Sequence, residues 1–190
     1  MFKKQKAFTL IELLTTLVVL GVVIGVAVPS FNSQILSSRS SALGDDFASA
    51  LNLVRSEAVK RANPVSLCAS INGSTCSTNV TDWTNGFIAV VDYATTDSAS
   101  APVLTDSNHP ASTVIRVWDK QDAKAQISVK RDTTPVPFIR YTSLGTLARV
   151  GGTTITVDAE MRNCKGDARR IITVGLAGFV GIKRDTCKVY

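Results

Sequence analysis

Glu12 is the only charged residue in an otherwise uncharged run, FTLIELLTTLVVLGVVIGVAV, at positions 8–28. A carboxylate held in hydrocarbon costs on the order of 2.5–3.5 kcal/mol on insertion scales, so its expected chemistry is an ion pair with a cation brought to it. The four cysteines form two clusters, Cys68/Cys76 and Cys164/Cys187. Outside the cytoplasm an even number reads as disulfides. Four cysteines allow three pairings, and the two local ones, Cys68–Cys76 and Cys164–Cys187, are expected. Each closes a loop and contributes about 2–4 kcal/mol. A zinc site has little support, because no Cys-x-x-Cys occurs and the single histidine, His109, lies in a polar stretch.

Catalytic patterns are missing. A Ser-His-Asp arrangement has only His109 to draw on, beside Pro110, and no Gly-x-Ser-x-Gly is present. There is no phosphate-binding glycine loop or dinucleotide fingerprint. Asp158 and Glu160 stand two apart, a spacing that puts both on one face of a strand, where paired acids are usually solvated. No catalytic residue, cofactor or metal is expected, and the chain is not expected to be an enzyme.

These residues need elements to position them. The 21 residues at 8–28 would form a helix of about 30 Å, the thickness of a bilayer's hydrocarbon core. Before them come only MFKKQKA, with three lysines, a basic head expected to stay on the cytoplasmic side of a membrane. The run is too long for a secretory signal, and no small-x-small cleavage site follows it. Beyond it, Leu36, Leu43, Phe47, Leu51, Val54 and Ala58 recur on one helical stripe, while Arg39, Asp45, Asn52 and Ser56 fall elsewhere. The helix is expected to continue through 29–62, kinked or loosened at Pro29 and ended by Asn63-Pro64.

From residue 63 onward the period changes to short β runs. Strands are expected near Val65–Ala69, Phe87–Asp92, Val114–Trp118, Gln126–Lys130, Pro137–Thr142, Thr153–Asp158, Arg169–Val174 and Phe179–Arg184. Residues Ala94–Ala111 read as an exposed loop. The fold class is therefore α+β: a long N-terminal helix packed on a two-sheet antiparallel β domain at 63–190. Formal net charge is +6, unevenly spread: residues 8–115 carry four basic and eight acidic side chains, residues 116–190 fourteen and seven. A basic half fits a nucleic-acid surface, but is more often a solvated face or the complement of an acidic neighbour in an assembly.

Ala7-Phe8-Thr9-Leu10-Ile11-Glu12 resembles the class III signal of type IV pilins and pseudopilins. The resemblance implies that a prepilin peptidase removes residues 1–7 by cutting between Ala7 and Phe8, and that Phe8 is then N-methylated. It also implies that Glu12 pairs with the terminal amine of a neighbouring subunit during docking, which supplies the missing cation. Ala7 departs from the glycine usual before the cut, and cleavage is still expected. The segment Leu53–Arg61, then Pro64–Cys68, Asp82-Trp83 and Gly86–Asp92, is similar to the GspH/FimT group of minor pilins and pseudopilins. With the N-terminal signal the likeness covers most of the first half, and the second half is matched only by spacing and the two late cysteines. The resemblance is to the FimU-like kind.

Some members of that group bind DNA through Gly-Arg-x-Arg on a late β-turn. The aligned residues here are Gly178-Phe179-Val180-Gly181, without either arginine. Arg169, Arg170, Lys183 and Arg184 remain as a patch for DNA or a partner if their strands pair. Trp83 and Trp118 are expected in the core or an interface rather than stacked on bases. The resemblance implies a minor pilin that primes assembly and links tip minor pilins to the major pilin. It would be anchored once in the inner membrane, with the β domain periplasmic, and would then join the pilus near its tip. A DNA receptor for natural transformation and the H-type pseudopilin of a type II secretion system are the alternatives.

Overall fold

The computed structural model describes residues 9–189, with the side chains of 26–30 outside that description. Ala7 and Phe8, the expected cleavage and methylation positions, therefore lie outside the described residues, as does the side chain of Pro29. One helix, α1, runs Leu10–Arg61 and is assigned continuously through position 29. Chain contacts divide it between two units, the boundary falling between Ile35 and Leu36.

In the first unit the side chains from Leu10 to Ile24 are exposed, including Leu10, Ile11, Leu17, Val22 and Ile24. Among the described residues no helix is long and apolar enough to cross a membrane. The run at 8–28 extends past the described side chains at both ends. Its described part, Leu10–Gly25, rises only about 24 Å at 1.5 Å per residue, short of the ~30 Å of a hydrocarbon core.

In the second unit the helix buries the expected stripe: Leu43, Phe47, Leu51, Val54 and Ala58, with Leu36 partly covered. The helix ends where the sequence places its stop. Ala62 takes a left-handed φ of 50°, and Pro64 then leads into strand β1 at Val65–Ala69. The strands that follow are β2 (Phe87–Val91), β3 (Val114–Trp118), β4 (Ala125–Arg131), β5 (Thr134–Pro135), β6 (Phe138–Tyr141), β7 (Ile155–Met161), β8 (Arg169–Val174) and β9 (Val180–Asp185). The two-residue β5 and a 3₁₀ turn at Asp82–Asn85 carry no periodic signal and are additions to the expected list. All pairings are antiparallel. One sheet has the order β3-β2-β1-β6, the other β5-β4-β7-β8-β9.

The alternation of each strand explains the layering. Leu67, Ala89 and Ile139 of the first sheet and Val129, Val157 and Ile172 of the second join the helix stripe in one core. The opposite face of the first sheet is also buried. There Cys68, Ile88, Val90 and Phe138 form a second cluster, covered by Leu104, Val114 and Val150.

Residues Ala94–Ala111 form the expected loop, mostly exposed and without helix or strand, while Leu104 within it contributes to the cover over that face. The loop backbone is tied down by the buried Arg140, which donates to the carbonyls of Asp97 (3.2 Å), Ala99 (2.8 Å) and Ala101 (2.7 Å). Asp92 completes the tie. Its carboxylate accepts from Arg140 Nε (2.7 Å), Ser66 Oγ (2.6 Å), and the backbone N–H groups of Ala94 (3.0 Å) and Val103 (2.9 Å).

Small residues bring the helix onto the second sheet. Ser37 Oγ donates to the Lys165 carbonyl (3.0 Å) and accepts from its N–H (3.1 Å). Ser40 Oγ accepts from Met161 N–H (3.0 Å). At Gly44, a Cβ would lie 2.3 Å from Arg170 Cβ. Alanine ordinarily gains up to about 1 kcal/mol over glycine in a helix. Here the clash reverses that sign: Gly44→Val should destabilise by about 1–3 kcal/mol, read from the denaturation midpoint.

Candidate functional site

The candidate docking site starts with Thr9 and Glu12. Thr9 precedes the first helical residue and has Glu three positions on, the spacing of a capping box. The geometry follows: Glu12 Oε2 accepts from the Thr9 N–H and hydroxyl, both at 3.2 Å, and Glu12 N–H donates to Thr9 Oγ1 at 3.3 Å. Two otherwise unpaired donors at the helix start are satisfied, and the carboxylate sits at the positive end of the helix dipole. Glu12 is nonetheless exposed. Its second oxygen therefore has room for an incoming cation.

Both local disulfides are formed, Cys68–Cys76 and Cys164–Cys187, and no cysteine is free. The first closes the loop after β1. The second joins the end of β7 to the chain terminus, which is further held by Cys187 N–H on the Gly166 carbonyl (3.0 Å). Glu160 lies beside the second bridge, its carboxylate within 4.8 Å of both sulfurs. With the sulfurs bonded to each other, this cluster lacks the thiolates a soft metal requires.

The expected basic patch is divided by strand alternation. β8 and β9 do pair, with Arg170 opposite Arg184 and Ile171 opposite Lys183. Arg169 and Lys183 face away from the helix, whereas Arg170 and Arg184 face the helix side. Two of the four charges are already engaged. Arg169 forms a bidentate pair with Asp158 (2.7 and 2.8 Å) and reaches Asp185 (3.3 Å), and Arg170 Nε bonds Asp45 on α1 (3.1 Å). The nearby β8–β9 turn presents Phe179, 69% exposed, with the Arg55 guanidinium 4.3 Å from its ring centre. Arg55 also donates to the carbonyl of Gly145 (3.0 Å).

The tryptophans are occupied. Trp83 is buried and donates its indole N–H to the Val136 carbonyl (2.9 Å). Trp118 is stacked on Phe87 (5.0 Å) and has Arg116 over its ring. His109 bonds Asp106 (Nδ1 to Oδ1, 2.9 Å) and stacks on Tyr93.

Asp158 and Glu160 share a face and are bridged by Lys188. Partial burial pushes the Asp158 carboxyl up, but its bonds to Arg169 and Lys188 outweigh this and hold it below the usual carboxylate range. A carboxyl lowered on folding stabilises fully above its unfolded pKa, and that stability is lost as pH falls through the folded value. Asp158→Asn should therefore lower the melting temperature at pH 7 yet leave it nearly unchanged near pH 2. The paired melts of variant and parent at the two pH values measure this.

Residues 43–178 match the family model of the type II transport protein GspH, and residues 2–28 match the prokaryotic N-terminal methylation motif. Among solved structures, the type IV minor pilin FimU of Pseudomonas aeruginosa PAO1 is similar over 79% of this chain and 96% of its own, with 20% identity and a TM-score of 0.52. The minor pseudopilin EpsH of the Vibrio cholerae type 2 secretion system is similar over 76% and 96%, with 14% identity and a TM-score of 0.45. No curated protein matches. The first of these likenesses supports the fold, a helix followed by two antiparallel sheets.

Proposed function

We propose that this chain, which belongs to the GspH family of minor type IV pilins and pseudopilins, is a minor pilin that primes pilus assembly and links tip minor pilins to the major pilin. The family is one of structural filament subunits, not of enzymes. The observation that carries the reading is Glu12: one carboxylate, fixed at the start of an exposed apolar helix, inside the matched methylation motif.

In this reading the precursor is held once across the inner membrane by residues 8–28, with its lysines inside and residues 63–190 in the periplasm. Prepilin peptidase cuts between Ala7 and Phe8, and the new Phe8 amine is methylated. Glu12 then receives the amine of an adjacent subunit. The apolar helix half leaves the bilayer for the filament core, so its exposed side chains exchange lipid for other helices. The two disulfides support the pilus branch of the family.

The H-type pseudopilin of a type II secretion system is the second reading, favoured by the description of the matching family itself. Deleting the gene separates the two. Loss of surface pili with normal release of secreted enzymes supports the pilin reading, and the converse supports the pseudopilin. Intact-mass analysis of the membrane form should find a chain starting at a methylated Phe8.

The DNA-receptor reading has less behind it, because Phe179 occupies the β8–β9 turn and Arg169 and Arg170 are paired. Duplex DNA at ~0.15 M salt should bind no more tightly than about 10⁻⁴–10⁻⁶ M, the non-specific range, by fluorescence anisotropy.

A further inference from the structure

We propose that β9 is an acceptor edge for an acidic, extended segment of a different protein subunit, which joins the five-stranded sheet as its next strand. The inference concerns a site separate from Glu12 and holds whichever filament the chain enters.

Three observations converge on this edge. β9 ends the sheet with only β8 beside it, and among the described residues no further backbone hydrogen bond reaches Val180–Asp185. Alternate N–H and C=O groups of such a strand point outward and accept a partner's backbone.

The apolar row facing the helix is also cut short there. Val129, Val157, Ile172 and Ile182 lie opposite one another across β4, β7, β8 and β9. Their exposures are 1%, 0%, 0% and 51%, so burial stops at the open edge. One more strand, with an apolar residue opposite Ile182, completes the row.

Charge then selects the partner. On β8, β9 and the following tail, Arg169, Arg170 and Lys188 are each paired with carboxylates. Lys183 and Arg184 are exposed, and among the described residues no carboxylate lies within ion-pair distance of them. Alternation places one on each face, so with an apolar residue opposite Ile182 a carboxylate one position along the partner meets Lys183 and a carboxylate two positions along meets Arg184. The same two cations oppose a second copy, since β9 against β9 would gather four positive charges along one seam. Edge lysines ordinarily guard against self-pairing, and here that guard leaves the edge open to an acidic strand.

The test uses the full chain in detergent micelles and hydrogen exchange of the β9 amides. The probes are three capped hexapeptides: Thr-Glu-Glu-Val-Thr-Val, whose adjacent glutamates fall opposite Arg184 and Lys183 when its first valine lies opposite Ile182, its Lys-for-Glu counterpart, and the acidic peptide with that first valine replaced by proline. The acidic peptide should slow exchange in 180–185 about tenfold and saturably, and the other two should not. The double variant Lys183→Glu, Arg184→Glu changes only exposed side chains and should transfer protection to the lysine peptide. Protection by none of the peptides at millimolar concentration would overturn the proposal. So would equal protection by the proline peptide, which would indicate charge attraction without strand pairing. Concentration-dependent protection without peptide would identify a second copy as the occupant and overturn it too.

Discussion

Asp92→Ala should lower the stability of the β domain by about 3–5 kcal/mol, the largest loss expected of any single substitution in it. Asp92 and Arg140 pair at 2.7 Å with both side chains fully buried. Removing the carboxylate strands a guanidinium in the interior and frees Ser66 Oγ and the N–H groups of Ala94 and Val103 from their acceptor. The melting temperature should fall by roughly 6–20 °C, at 2–4 °C per kcal/mol for a chain of this size. Amide exchange should accelerate first across residues 94–103, because Arg140 holds that segment by its carbonyls. The double variant Asp92→Leu, Arg140→Leu should recover much of the loss, since an apolar pair of similar volume avoids the uncompensated charge. A double variant as unstable as the single one would show that the loop bonds, not the ion pair, carry the effect.

Glu12→Gln should reduce incorporation into filaments by at least about a hundredfold while leaving the folded β domain and its membrane-associated level unchanged. Glutamine at this position keeps the capping-box partner for the Thr9 N–H, because its amide oxygen still accepts. It loses only the charge. The substitution therefore separates the helix-starting role, visible in the 3.2 Å bonds, from the proposed pairing with a neighbour's amine. Quantifying the chain in sheared filaments against the cell envelope measures the effect. Incorporation equal to that of the parent chain would remove the docking role from Glu12.

The helix stripe, most of the strands and the local cysteine pairing were legible because each leaves a short-range trace. Leu43, Phe47, Leu51 and Val54 repeat at helical spacing, the strands alternate, and the cysteines cluster. Ionic ties between distant segments leave no such trace. Asp92 and Arg140 are 48 residues apart, and Arg170 and Asp45 are 125 apart. Nothing periodic announces either pair, so Arg170 reads as part of a basic surface until its partner is seen. The same holds for Gly44, whose lack of a side chain matters only because Arg170 crosses above it. Residues Ala94–Ala111 read as an exposed loop and form one, but nothing in their composition announces the buried guanidinium that holds three of their carbonyls. At Glu12 the capping geometry follows from Thr9-x-x-Glu12 alone, whereas the proposed amine partner would come from another chain.

The serines of α1 have a mechanical consequence. Ser37, Ser40 and Ser41 grip the stretch from Met161 to Ala168, most of which lies at the start of the covalent ring closed by Cys164–Cys187. Tension drawn along the helix loads these bonds in shear, together rather than one after another. A pull on the helix that reaches the domain would be carried through this clasp, and the ring behind the clasp cannot unravel while the bridge is intact.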